Sequence, residues 1–536
     1  MLGRRDPQSS LFSAANLPHR VPSDSFYGRM AAVSDVLFQD DDLKEIYDPG
    51  NGRPSLPPSI MNGVLLLQFH DDVSDEEAVQ RLQFDLRWQV ALNLPTDYPA
   101  FDPTSIGHYR LRLAEHGKER YAFDRFVAVG RAAGFMPDRV TLLTDTTRAD
   151  GAGAVQDSYT LLRKCMRKLL KQMGYSSPGK RRGLAPTTER LMATYLDQDR
   201  KAKIDWADPS ERAEQLKVLV QDAKAVLDLA VEHVDDAEVR ATGWLLVKIM
   251  GDDIESDEHG NPQIAKGTAP DRIISITDPE MRHGRKSKAQ RFDGFKLSVT
   301  TEQSSELIVD IQDIPAAGGD GQALMPTIER VEQHLGVTVE QVIGDGAYGS
   351  GELRAACADK HVDLLAPLTQ PQDPAVDKSA FQINLEEKTA ICPQGHSASG
   401  KTGRRGKGTL DFIFARATCE ACALFQRCVK SKSNGRTVVT HPYEQHLRDA
   451  RQRQQTTEFK QRYPLRSAIE RKQAELVQLG IRETRYVGRP KRQLQHLWTA
   501  AVANLRRLFR LCETTNKDLH ALLASPRPPQ PRTKAA

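Results

Sequence analysis

One short segment constrains this chain more than any other. Arg139 to Asp145 (RVTLLTD) is apolar, rich in β-branched residues and ends on a carboxylate, so it reads as a buried strand. No similar run follows until Phe295 to Thr301, and the sequence between carries helical periodicity over Ser158 to Met173, Thr187 to Leu196, Pro209 to His233 and Asp236 to Met250. A single strand has nothing to pair with, so its partners must come from beyond this block. Leu307 to Ile314, Gln341 to Asp345 and Val362 to Leu368 supply them, with a helical pattern from Gln322 to Leu335 between the first two. The pattern predicts a mixed α/β domain with a five-stranded sheet, split after its first strand by a helical insertion.

Upstream, Phe26 to Val127 is helical in pattern, broken by Pro-rich stretches at Arg53 to Pro58 and Pro95 to Pro103. Ser74-Asp75-Glu76-Glu77 forms a capping box ahead of Ala78, Val79, Leu82 and Leu86, which share a helical face. This predicts an all-α N-terminal domain. At 536 residues the chain is long enough for three or four domains. Apolar stretches such as Val64 to Leu67 and Trp244 to Val247 are too short to cross a membrane, and Met1 to Arg20 has no secretory apolar run. The expectation is a cytoplasmic protein with no membrane partner.

The net charge of +4 conceals a split. Residues 401–536 hold 29 Lys and Arg against 10 Asp and Glu, which leaves 46 against 61 in residues 1–400. A basic C-terminal quarter on an acidic body suits a polyanion such as nucleic acid. Four of the seven cysteines fall within 392–428, a pattern suited to metal binding in a reducing compartment.

Asp145 and Asp345 each end an apolar run and precede turn-forming residues, Thr146-Thr147 and Gly346-Ala347. Carboxylates at strand ends offer hard oxygen donors to Mg²⁺ or Mn²⁺. Downstream, Tyr463, Arg466 and Glu470 stand at offsets 0, 3 and 7 in YPLRSAIE, on one face if that segment is helical. This ordered set resembles the signature of bacterial insertion-sequence transposases with a DDE (aspartate, aspartate, glutamate) catalytic domain. Leu143 to Thr147 is similar to the family's first motif and Val342 to Gly349 to its second. Thr277 to Glu280, Phe292 to Lys296 and Asp320 are similar to intervening elements, and Arg53 to Arg112 to the small N-terminal transposase domain.

The resemblance implies an RNase H-like core in which Asp145, Asp345 and Glu470 are catalytic and hold two Mg²⁺ or Mn²⁺ ions. It further implies cleavage of double-stranded DNA at the element's ends, strand transfer into target DNA, and a homodimer on paired ends near the nucleoid. One departure stands out: the family's lysine seven residues after the glutamate is Val477 here, and Lys472 at offset 2 points elsewhere. Glu475 is a rival third carboxylate without the Tyr and Arg partners. Tyr463, Arg466, Arg485, Arg489, Lys491 and Arg492 are the expected DNA contacts. Cys392, Cys419, Cys422 and Cys428, with His396 as alternate, form a candidate structural zinc site. Two alternatives stay open, a catalytically silent DNA-binding descendant and a stand-alone metal nuclease.

The expected organisation is a disordered N-terminus at 1–25, a helical domain at 26–130 and a core at 136–154 and 271–374, interrupted by the insertion at 155–270. A cysteine-rich insertion at 375–440, the glutamate helix with basic helices at 441–515 and a Pro/Arg-rich tail at 516–536 complete it.

Overall fold

The computed structural model describes residues 18–525 apart from 49, 51–53, 100, 177–183, 198–203, 287–288, 404–407 and 432. The expectations for residues 1–17 and 526–536 lie outside the described residues.

The N-terminal part is helical, as its pattern predicts. Its principal helices are α1 (Pro58–Asp71), α2 (Asp75–Phe84), α3 (Thr104–Glu115) and α4 (Tyr121–Ala132). Helix α1 is buried on every side from Pro58 to Phe69, which marks it as the centre of the bundle. The Ser74 half of the capping box forms at α2, its hydroxyl accepting from the Glu77 amide at 3.1 Å, while the Glu77 carboxylate accepts from Arg81 at 2.7 Å.

The first strand, β1 (Arg139–Asp150), is longer than its apolar run. Then come the helices α5 (Ser158–Gln172), α6 (Pro209–Val231) and α7 (Ala237–Asp253), whose N-termini are capped by Asp157, Asp208 and Asp236. They enclose a core of their own around Leu161, Met166, Leu169, Leu219 and Leu246, and a hairpin of Ile254–Ser256 with Pro262–Ile264 follows. The helical insertion therefore folds around its own apolar centre.

The sheet resumes with β2 (Arg291–Glu302), β3 (Ile308–Pro315), helix α8 (Leu324–Leu335), β4 (Thr338–Ile343) and β5 (Asp363–Leu365). Pairing runs β3-β2-β1-β4-β5, antiparallel on the β2 side of β1 and parallel on the β4 side. A sixth short strand, Arg282–Arg285, extends the sheet along the first residues of β2. Asp145 is not at a strand end, contrary to the sequence reading. The antiparallel ladder with β2 continues from Leu142↔Glu302 to Asp150↔Gly294, whereas the parallel ladder with β4 stops at Leu143↔Ile343. Half of the sheet ends beside Asp145 and half continues past it.

The cysteine-bearing segment holds a second antiparallel sheet that was not expected from its residues, ordered β10-β9-β8-β7-β6. Its strands are β6 (Gln382–Asn384), β7 (Thr389–Ile391), β8 (Ser397–Thr402), β9 (Leu410–Ile413) and β10 (Thr437–Val439). They close over Phe381, Ile383, Phe412, Phe414 and Val438.

Helix α9 (Ser467–Gln478) packs on β1 and β2, and the long helix α10 (Arg489–Thr515) packs on β3 and on α1, α3 and α4. The stripe Leu494, Leu497, Trp498, Ala501, Leu505 and Leu508 is fully buried, in line with its helical spacing. Asn504 stands in that apolar face for a reason: its amide accepts from the Ile308 N–H and donates to the Ile308 carbonyl, both at 2.8 Å, which satisfies edge strand β3. Because α10 touches both the sheet and the N-terminal helices, one continuous core spans them, so the N-terminal part is not a free-standing domain. Leu519–Ala524 is helical with Leu519 and Leu523 buried, so the expected tail at 516–536 starts too early. Among the described residues no helix is long and apolar enough to cross a membrane.

Candidate functional site

The register of β1 against β4 sets the first two carboxylates side by side. Leu143 and Ile343 are partners across the parallel ladder, and Asp145 and Asp345 each lie two residues further on. With a side-chain period of two, each carries the same facing as its partnered residue for as long as the backbone stays extended. Asp345 ends its extension by capping the 3₁₀ turn Gly346–Tyr348, accepting from the Ala347 amide at 2.9 Å. Gly344 is required there, since a Cβ would come within 2.9 Å of the Tyr348 ring. Fully buried Tyr348 approaches the Thr144 hydroxyl at 3.4 Å and fixes the end of β4 against β1.

Burial lifts the Asp145 carboxyl above its ordinary range, and the nearby charges of Asp345 and Asp320 push the same way. Arg466 and the Thr146 amide oppose them, at 2.9 and 2.8 Å from the Asp145 carboxylate. Asp320 is tethered by Lys296, whose Nζ donates to it at 2.7 Å. Three aspartates thus collect at one edge of the sheet.

Glu470, in the first turn of α9, is reached through the same arginine and brings a fourth carboxylate. Arg466 donates from Nη1 to Asp145 at 2.9 Å and from Nη2 to Glu470 at 2.7 Å. Burial alone would lower the Arg466 pKa, but Asp145, Tyr463, Glu470 and Asp345 raise it on balance. Tyr463 and Arg466 occupy a 3₁₀ turn, Tyr463–Arg466, and the α-helix starts only at Ser467. The expected single helical face is therefore broken into turn and helix at Pro464, whose ring removes a backbone donor. Tyr463 stacks on Phe459 at 5.3 Å between centroids. Glu475 pairs instead with Lys472 at 2.8 Å and faces Arg506 of α10, away from Asp145.

The three carboxylates Asp145, Asp345 and Glu470 do not close around a cation position. Among the described residues no group of three or more His, Cys, Asp or Glu is placed to hold a metal ion. At the sheet edge the Arg466 guanidinium stands between Asp145 and Glu470 and brings positive charge to both.

Two expected DNA contacts are corrected. Arg492 is 1% exposed, held by Asp313 at 2.6 Å, Glu280 at 2.8 Å and Asp278 at 3.4 Å, with its guanidinium 3.5 Å over the Phe295 ring. Arg485 pairs with Asp72 and donates to the Val73 carbonyl, tying the loop before α10 to the N-terminal helices. Arg492 is enclosed by its carboxylates, and Arg485 is engaged by the partly exposed Asp72. Arg489 and Lys491 are exposed in the first turn of α10, which has no acidic residue there and no side-chain cap. Positive charge at a helix N-terminus is unfavourable without an anion, so these two remain open to phosphate.

The four clustered cysteines and His396 line one small cavity of about 30 Å³. Cys392 sits in a tight turn, its amide donating to the His396 carbonyl at 2.8 Å and its carbonyl accepting from Gly395, whose φ is +83°. Backbone amides of Arg436 and Leu424 donate to the sulfurs of Cys419 and Cys422 at 3.5 and 3.4 Å. Burial lifts the Cys428 thiol above its ordinary range, Arg436 opposes, and Cys419, Cys422 and Cys392 add to the rise. The four sulfurs therefore face one space without being drawn to coordination geometry. Cys165, Cys357 and Cys512 are buried in apolar surroundings, where desolvation pushes the Cys165 thiol up to about 12.

Residues 15–112 match the family model of a transposase domain known as DUF772, and residues 391–509 match that of a transposase DDE domain. The second match spans the cysteine cluster, Arg466 and Glu470. No curated protein and no solved structure matches the chain. With a transposase domain toward its N-terminal end and a DDE domain toward its C-terminal end, the two matches have the content and order of an insertion-sequence DDE transposase.

Proposed function

We propose that the protein cleaves double-stranded DNA at the ends of an insertion sequence and joins the freed 3′ ends to target DNA. In this reading Asp145, Asp345 and Glu470 are the catalytic carboxylates. The observation that carries it is the register of β1 and β4, two residues beyond which Asp145 and Asp345 lie on adjacent strands, with Arg466 linking Asp145 to Glu470. The strand order β3-β2-β1-β4-β5, antiparallel then parallel, supports an RNase H-like core.

The donor chemistry fits Mg²⁺ or Mn²⁺: carboxylate oxygens only, in a negative surplus, at the rigid edge of a sheet. When bound, such ions lower the pKa of an attacking water and stabilise the departing 3′ oxygen. The chain's own residues prepare the site. Tyr348 and the Ala347 amide fix Asp345, the Thr146 amide orients Asp145, and Arg466 holds Glu470 toward β1 until both carboxylates are needed elsewhere. The exposed Arg489 and Lys491 are phosphate-facing groups, and two copies, one per element end, form the working assembly.

We also read Cys392, Cys419, Cys422 and Cys428 as a structural zinc site, with His396 as the alternate ligand, on the strength of the shared cavity and the amide donors to sulfur.

The test is nicking and strand transfer on labelled duplexes carrying the element's ends, with Mg²⁺ or Mn²⁺. Asp145→Asn, Asp345→Asn and Glu470→Gln should each abolish both reactions and leave DNA binding intact. A D145N protein that still nicks sinks the assignment; nicking without joining by the unaltered protein favours a stand-alone nuclease.

A further inference from the structure

After α9 the chain turns at Gly480 and runs back along β1. The Asp150 amide donates to the Arg482 carbonyl at 2.7 Å, and the Thr484 amide donates to the Asp150 carbonyl at 3.0 Å, forming a parallel bridge. This segment takes up the edge of β1 that β4 vacates beyond Leu143. It carries Arg482, whose Nε donates to the Thr147 hydroxyl at 3.1 Å. Thr147 is two residues from Asp145 on the same strand, so both side chains have the same facing, about 6.7 Å apart along the backbone.

The other cations of this loop set a contrast. Arg485 and Arg492 each hold carboxylates, whereas among the described residues Arg482 is within ion-pair distance of none, and neither of its Nη groups donates to a protein acceptor. Half-buried beside the carboxylate edge, its guanidinium keeps a free two-pronged donor face. A guanidinium in that state is matched by a phosphate oxygen pair.

We propose that Arg482 binds a backbone phosphate of the DNA strand lying on the carboxylate site. The neutral Thr147 hydroxyl aims the guanidinium without discharging it, so the fold keeps this cation in reserve for an outside anion. The proposal rests on the reading of the site as DNA-cleaving.

The experiment measures duplex binding by the full chain across a salt series, using a 40-base-pair duplex bearing an element end. Each phosphate that the protein neutralises steepens the slope of log K against log salt by about 0.9. Arg482→Gln should make the slope shallower by that amount, and Arg482→Lys should restore most of it. Since R482Q gives up one hydrogen bond to a hydroxyl and no ion pair, its unfolding temperature should fall only slightly below that of the unaltered protein. If the unaltered protein binds with a steep salt slope and R482Q keeps it, the assignment of Arg482 is wrong while the DNA reading stands. If the unaltered protein shows no salt-dependent binding, the DNA reading fails and takes Arg482 with it.

Discussion

Replacing Arg492 with alanine separates structural from DNA-facing cations. Its guanidinium is buried with Asp278, itself buried, and with the largely enclosed Asp313 side chain, and it also reaches half-exposed Glu280. Removing the cation leaves Asp278 without its counter-charge and Asp313 with His496 alone, at 2.7 Å, which costs about 3–5 kcal/mol. The absence of stacking on Phe295, 3.5 Å away in the unaltered protein, adds to this, though not independently. With a urea slope of about 3 kcal/mol per M, the unfolding midpoint should fall by about 1 M or more. The pH dependence gives a second check. Burial alone would raise the Asp313 carboxyl, but His496 and Arg492 outweigh it and hold the group below its ordinary value. Burial lifts Asp278 despite Arg492. Without the arginine both carboxyls rise, so the variant regains stability relative to the unaltered protein as pH falls toward about 4 and they protonate. Urea unfolding at neutral pH and near pH ~4.5, with duplex binding beside it, reads both. An R492A protein that unfolds like the unaltered one and binds DNA more weakly would refute the buried assignment.

Asp71 should behave as an acid-sensitive post in the N-terminal bundle. Burial alone would raise its carboxyl, but donors from His70, Trp88 and Tyr27 hold it far below the ordinary range. That stability is complete above the unfolded value of about 3.9 and is lost as pH falls below it. Asp71→Asn should therefore cost about 2–3 kcal/mol at neutral pH, and the gap should close below about pH 4; a pH-independent gap would contradict this. Arg466→Gln should lift the Asp145 carboxyl further, since it removes the largest opposing charge; a carboxylate titration by NMR in which Asp145 does not move would show that the ion pair is absent in solution. For the cysteine cavity, elemental analysis should find one zinc per chain, absent from Cys392→Ser and Cys422→Ser; retention in both variants rules the four-thiol site out. Exchanging both Arg489 and Lys491 for Gln should flatten the salt slope of duplex binding by about 1.8, with no loss of stability.

Five of the six strands of the main sheet were legible because each is built on an apolar run, and the helical block after β1 because its periodicity is strong. The length of β1 was missed for a physical reason. Beyond Asp145 its residues are Thr, Thr, Arg, Ala and Asp, which look like a turn, yet Thr147 and Ala149 are buried while Thr146, Arg148 and Asp150 are more open. That two-residue alternation is a strand signal expressed in polar residues. The second sheet was less accessible, because strands such as Ser397–Thr402 (SASGKT) carry no apolar alternation and owe their pairing to neighbours.

Charge was the least reliable guide, since a count of cations ignores what each one already faces. Arg492 finds its carboxylates at 278, 280 and 313, and Arg485 finds Asp72 on the far side of the shared core; no local pattern could announce either pairing. The excess of Lys and Arg in residues 401–536 therefore overstates the surface open to DNA. What leaves a cation free for DNA is the lack of an internal carboxylate, and a place beside the proposed catalytic edge brings it to the reacting strand. Arg482 meets both conditions, Arg489 and Lys491 meet the first, and Arg466 meets the second only once its two carboxylates turn to another cation. In the proposed reaction Asp145 and Glu470 would hold metal only after exchanging Arg466 for it, and the freed arginine would then be open to phosphate beside Arg482.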